Sequence, residues 1–167
     1  MQTISEDYRG LNIELHKTNP NYGMSGQKWG PAIMAATQAM QTTDVLDYGC
    51  GKSTLAKTLP FNINQYDPAI PRFKHKPEPA DLLVCTDVLE HIEPDMLDSV
   101  LDDIKNLTKK AAFLVVATGP AHKTLSDGRN AHLIQEGPKW WESKLSKRFD
   151  SVVIEEGEGG FTAICEK

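Results

Sequence analysis

The sequence predicts an α/β fold with a doubly wound, mainly parallel sheet that ends in a C-terminal antiparallel hairpin. Three observations carry this prediction. Short apolar runs of strand length alternate with segments of helical periodicity along most of the chain. One run, Val45 to Gly49, leads directly into a glycine-bearing turn and then a helix-like segment. A second glycine cluster, GEGG at 157–160, separates the last two apolar runs by the length of a hairpin turn.

The elements follow in order. Residues 1–26 are polar and contain the turn cluster Asn19-Pro20-Asn21-Tyr22-Gly23, which reads as a leader or lid over the core. A helix over Gln27 to Met40 places Trp29, Ile33 and Met40 along one side, and Tyr22 and Trp29 are aromatics able to cover a ligand or to join the core. Val45 to Gly49 is the first strand, and Lys52 to Leu59 a short helix stopped by Pro60. Ile63 to Asp67 is the second strand. Ala80 to Asp87 is a third, whose unbroken apolar run suits a central parallel strand covered on both faces. Pro94-Asp95 opens a helix in which Met96, Leu97, Val100, Leu101, Ile104 and Leu107 recur at helical spacing. Ala111 to Thr118 is a fourth buried strand, followed by a polar loop from Gly119 to Pro138, a helix over Lys139 to Phe149, and hairpin strands at Ser151 to Glu155 and Phe161 to Cys165.

A length of 167 residues is that of one domain, able to bury ~70% of its unfolded surface. We read 1–41 as the leader with its helix and 42–167 as the core. Eighteen Lys and Arg against 23 Asp and Glu give a net charge of −5, which opposes nonspecific binding to a polyanion. A nucleic-acid substrate is disfavoured on that ground, although a local patch could still grip one. Cys50, Cys85 and Cys165 lack any Cys-x-x-Cys spacing and read as reduced, buried thiols of a cytoplasmic protein. No stretch approaches the ~18 apolar residues of a membrane span, and the first ten residues have no apolar run of an export signal.

The string VLDYGCGKS sets Asp47, Gly49 and Gly51 at a strand-to-helix turn, where missing Cβ atoms allow close backbone approach. Asp67 ends the next strand twenty residues after Asp47, the separation expected of a carboxylate that accepts from ribose hydroxyls. A P-loop would need glycine where Leu46 stands, and a dinucleotide fingerprint would need one where Thr54 stands. A plain structural turn is the remaining alternative.

Together with Asp87-Val88-Leu89-Glu90-His91, these motifs resemble those of the class I S-adenosylmethionine-dependent methyltransferases, from Val45 to the final hairpin. The resemblance implies a Rossmann-like fold and S-adenosylmethionine as cofactor. It also implies that Asp47 faces the methionine amino group, that Gly49 and Gly51 approach the cofactor and that Asp67 holds the ribose. Tyr22, Thr86, Asp87 and Val88 complete the expected cofactor contacts. The sequence departs from the family in two places. Ser53 stands at the third glycine of the turn. Only 13 residues, 68–80, separate Asp67 from Asp81, and Pro68, Pro71, Pro77 and Pro79 lie among them, so the third strand and its helix should be reduced or missing. Arg72 and Phe73 are then candidates to cover the adenine.

Asp87, Glu90 and His91 fall at i, i+3 and i+4 beyond a strand's carboxyl end, where open α/β sheets bind ligands. They either cap the helix and brace the cofactor loop, or ligate magnesium or manganese. Similar Glu-x-x-Glu-His clusters bind metal in ubiquinone O-methyltransferases and small-RNA 2′-O-methyltransferases. The RNA enzymes add a histidine before a Trp-containing helix, where this chain has His132 before Trp140-Trp141. The expected metal set is therefore Asp87, Glu90, His91 and His132. His132 and His91 are the candidate catalytic residues for deprotonating a hydroxyl acceptor, and His122, Lys123, Asp127, Arg129 and Asn130 are candidate acceptor contacts on the same loop. The functional expectation is methyl transfer to a hydroxyl of a small molecule or, against the charge balance, of a nucleic acid, with a cofactor-binding regulatory or partner subunit that does not turn over as the alternative.

Overall fold

A computed structural model describes residues 2–167, so position 1 of the expected leader lies outside the described residues. The strands are β1 (Val45–Tyr48), β2 (Asn64–Tyr66), β3 (Ala80–Thr86), β4 (Thr108–Ala117), β5 (Ser151–Gly157) and β6 (Gly160–Glu166). They form one sheet in the order β2-β1-β3-β4-β6-β5. The first four run parallel, while β6 is antiparallel to β4 and to β5. The predicted hairpin is therefore present, and its second strand rather than its first joins the parallel set.

Residues alternate between faces along each strand, which explains why β3 and β4 read as unbroken apolar runs. Leu83, Cys85, Ala112, Leu114 and Val116 pack on one face against α3 (Leu97–Leu107) and α4 (Pro138–Leu145). Leu82, Val84, Ala111, Phe113 and Val115 pack on the other against Ile33 of α2 (Gly30–Met40), Leu55 and Leu59. Most of the predicted α3 stripe is present, with Leu97, Val100, Leu101, Ile104 and Leu107 all buried, but Pro94–Met96 forms a separate 3₁₀ turn and leaves Met96 half-buried. Cys50, Cys85 and Cys165 are free and buried. No helix among the described residues is long and apolar enough to cross a membrane.

Three local expectations change. The polar leader contains a helix, α1 (Glu6–Thr18), whose N-cap Ser5 accepts from the Tyr8 amide. Glu6 and Asp7 in its first turn and His16 and Lys17 in its last complement the helix dipole. The segment expected to be helical from Gln27 begins instead as a 3₁₀ turn, Ser25–Trp29, and Trp29 packs on Phe113 in the core at 5.7 Å between ring centroids. Lys52 to Leu59 forms successive turns and no helix. Its cause is backbone handedness: Gly51 (φ 49°) and Ser53 (φ 63°) are both left-handed, and a residue with positive φ cannot continue a right-handed helix.

As the prolines require, Pro68 to Pro79 contains no helix or strand. The chain leaves β2, crosses over β1 without a helix and enters β3. This leaves β1 flanked by β2 and β3, with the reversal of strand order beside its carboxyl end. Such a switch point is where open α/β sheets place their ligand crevice.

Candidate active site

A cavity of about 480 Å³ lies at that switch point. Asp47 at the end of β1, the turn Gly49-Cys50-Gly51, Asp67 after β2, Thr86 at the end of β3 and Asp87-Val88 beyond it all line it, as does Tyr22 from the leader. Three strands that are distant in sequence bring these residues together by ending at the same edge.

The glycine turn is held by protein on its far side. Gly49 and Cys50 both donate to the Tyr66 carbonyl, at 2.7 and 3.1 Å. A Cβ on Gly49 (φ 79°) would stand 2.4 Å from Val88 Cγ2, and one on Gly51 would stand 2.8 Å from the Gly23 carbonyl oxygen. The missing side chains thus admit Val88 and the leader, and no helix N-terminus follows the turn to attract an anion. Asp67 is buried; its Oδ2 accepts from Gly51 at 3.0 Å and its Oδ1 from Ala69 at 2.9 Å. Burial raises its pKa despite these bonds. Asp47 is also buried, and desolvation followed by the Asp67 charge pushes its carboxyl up to about 7.

The leader is fastened across the cavity at both ends of α1. The Ser5 amide and hydroxyl donate to Glu93 at 2.9 and 2.7 Å, and the Tyr8 hydroxyl donates to the His91 carbonyl. At the other end, Lys52 Nζ donates to the carbonyls of Asn19 and Tyr22, at 2.8 and 2.6 Å. Tyr22 is wedged edge-on between His16 and His91, with ring centroids at 4.7 and 5.8 Å.

Deeper in the same cavity wall, Leu89–His91 forms a 3₁₀ turn that buries Glu90 completely. Its Oε1 accepts from the Ala117 amide at 3.1 Å, while Oε2 is buried without a partner. Desolvation, then the charge of Asp87, raises this carboxyl to about 8. His91 Nδ1 lies 2.7 Å from the Ala131 carbonyl and His132 Nδ1 lies 2.6 Å from that of Gly119. A carbonyl only accepts, so each Nδ1 carries a proton, and in the neutral form of either ring Nε2 keeps the lone pair. Burial, then His132, lowers His91 to about 4. One ligand atom from each of Glu90, His91 and His132 lies within 4.8 Å of the others. Asp87 is not in this group: its backbone turns left-handed (φ 53°) directly after β3, and the residue lines the cavity.

No family model and no curated protein sequence matches the chain, but its structure is similar to several solved ones. The Burkholderia thailandensis 1,6-didemethyltoxoflavin-N1-methyltransferase, solved with S-adenosylhomocysteine, aligns with a TM-score of 0.65 at 13% identity, over 95% of this chain and 86% of that one. Magnesium protoporphyrin IX methyltransferase from Synechocystis, with bound S-adenosylmethionine, gives 0.61 at 12% identity over 99% and 98% of the two chains. The methyltransferase domain of bacterial CtHen1-CN gives 0.60 at 14% identity over 86% and 100%. The chain has the Rossmann-like fold of the S-adenosylmethionine-dependent methyltransferases.

Within this methyltransferase fold, each residue expected to contact the cofactor lines one cavity, and three of the four expected metal ligands converge beside it. Arg72 and Phe73 do not reach the cavity; the guanidinium stacks on its neighbour's ring at 4.4 Å, and Pro68 and Ala69 line the wall in their place. Of the loop residues, His122, Lys123 and His132 line the cavity. Asp127 and Arg129 pair with each other at 2.6 Å. Asn130 braces the loop: its Oδ1 accepts from Ala121 and His132, and its Nδ2 donates to the Ala121 carbonyl. The sequence reading missed Asn12, His16 and Lys28, which also line the cavity. The signal for α1 was the cap Ser5, with acidic residues after it and basic ones before Asn19-Pro20.

Proposed function

We propose that this chain is an S-adenosylmethionine-dependent methyltransferase acting on a small-molecule acceptor, with a hydroxyl as the methylated group. The observation that carries the reading is the switch-point cavity, where Asp47, the glycine turn, Asp67 and Thr86-Asp87-Val88 meet. Asp47 pairs with the ammonium of the methionine arm, Asp67 accepts from the ribose hydroxyls, and Gly49, Gly51 and the β3 end enclose the nucleoside under Tyr22. Two of the similar structures are named for small-molecule acceptors, 1,6-didemethyltoxoflavin and magnesium protoporphyrin, and the fastened leader leaves a roofed cavity suited to such a ligand. The sulfonium is already an activated donor, so the protein's task is alignment and exclusion of water. When bound, S-adenosylmethionine would supply a methyl group from a sulfur that keeps the S–CH₃ electron pair as the O–CH₃ bond forms, and the imidazole of His132, beside His91, would take the acceptor proton.

The Glu90, His91 and His132 group also fits a divalent cation such as magnesium or manganese. The support is Glu90 Oε2, a buried oxygen without a partner, facing two imidazoles with Nε2 free. When bound, such an ion would polarise an acceptor hydroxyl as a Lewis acid. Ligation and proton acceptance compete for the same Nε2 lone pair, so they are distinguishable. Incubation with labelled S-adenosylmethionine and pools of small-molecule hydroxyl compounds should yield S-adenosylhomocysteine and a methylated product. Cofactor binding without turnover on any pool would assign the chain to the binding-subunit alternative. EDTA should abolish turnover, with recovery on adding manganese, if these residues are ligands; full activity in EDTA leaves them as bases.

A further inference from the structure

We infer that His16 is a cofactor-holding residue, donating a hydrogen bond to a ribose oxygen of the cofactor across from the Asp67 carboxylate. This inference rests on the methyltransferase reading. His16 sits in the last turn of α1 and lines the cavity. Gly23 (φ 73°) connects it to the glycine turn: a Cβ there would stand 2.7 Å from His16 Cε1 and 3.3 Å from Gly51 Cα. The imidazole and Gly51 therefore both lie against Gly23. The Gly51 amide in turn donates to Asp67 Oδ2 at 3.0 Å, so His16 and Asp67 flank the same end of the cavity.

The chemistry of the two groups is complementary. Each Asp67 oxygen accepts one backbone N–H and keeps a lone-pair site for a ribose hydroxyl. A carboxylate cannot satisfy the ribose oxygens as acceptors; that requires a donor. His16 Nδ1 is buried without a partner, which leaves Nε2 as the nitrogen able to serve the cavity. Desolvation holds the imidazole below its ordinary pKa against the opposing pull of Asp67, so near neutral pH the ring has one N–H to give. Tyr22 fixes the ring plane edge-on at 4.7 Å, and is itself held by its hydroxyl bond to Asn12 at 3.1 Å.

Calorimetry of the full chain with S-adenosylhomocysteine and with 5′-methylthioadenosine, which has the nucleoside but no amino-acid arm, tests this. His16→Phe preserves the stacking and removes the donor; it should weaken both ligands by the same factor, on the order of tenfold. His16→Gln restores a donor and should recover most of the loss. A loss confined to S-adenosylhomocysteine would assign His16 to the amino-acid arm and overturn the inference. Unchanged affinities, or equal losses in both variants, would reduce the residue to packing. Should His16→Phe fail to fold, the ring ¹⁵N signals of His16 in the unmodified chain answer the same question: they should shift on adding 5′-methylthioadenosine, and unmoved signals would overturn the inference. If the unmodified chain binds neither ligand, the methyltransferase reading itself fails.

Discussion

Asp47 shows how a residue's environment sets its working pH. Burial and the neighbouring Asp67 raise its carboxyl to about 7, whereas pairing with an ammonium requires the ionised form. Binding of S-adenosylhomocysteine should therefore release a proton below that pH, and affinity should rise about tenfold per pH unit up to pH 7 and then level off. Calorimetry in buffers of different ionisation heat measures the proton directly; pH-independent affinity would remove Asp47 from the amino-acid site. The sign for stability is opposite. A carboxyl whose folded pKa lies above its unfolded one binds its proton more tightly when folded. Its contribution to the ligand-free protein is thus fully present below the ordinary carboxyl range and lost as pH rises through about 7.

At the scale of an element, the glycine turn is a joint between β1, the segment after β3 and the leader. Gly49→Ala would put a methyl group 2.4 Å from Val88 Cγ2 at a backbone φ of 79°, and should cost about 1–3 kcal/mol of stability. Val88→Ala removes the γ-carbon clashes, leaving its Cβ at 3.3 Å, but not the backbone strain. The double variant should thus recover only part of the loss, which a denaturant-melt double-mutant cycle reads as a favourable coupling. Additive losses would mean the turn shifts away from Val88 without resistance.

For the molecule as a whole, stability is concentrated where the two sheet faces are covered. Leu101 is fully buried between α3 and the sheet, whereas Val153 on the edge strand β5 is 62% exposed. Leu101→Ala should lower the unfolding free energy by about 2–5 kcal/mol, and Val153→Thr should change it by less than about 0.5 kcal/mol. Denaturant midpoints at constant m-value would measure both changes. A large effect at Val153 would indicate that β5 is covered in solution by something beyond this chain.

The sequence by itself determined the strand and helix alternation, the buried β3 and β4, the apolar stripe of α3, the terminal hairpin and the helix-free crossing at 68–79. Each is a local signal: periodicity reports which side of an element meets the core, and prolines delete donors wherever they occur. Asp47, Asp67 and the Asp87 to His91 motif were legible because strand ends that share a sheet edge must meet there. Only the tertiary structure decided what surrounds them. Ser53 abandons the helix after Gly51 because the turn is clasped by Gly23, by the Thr54 hydroxyl on the Met24 carbonyl and by Lys52 on the leader. Asp87 stays outside the group formed by Glu90, His91 and His132, and His16 reaches the cavity wall from the last turn of α1. These outcomes depend on contacts between residues remote in the chain. No local pattern records them, because the free energy that selects them appears only once both partners are in place.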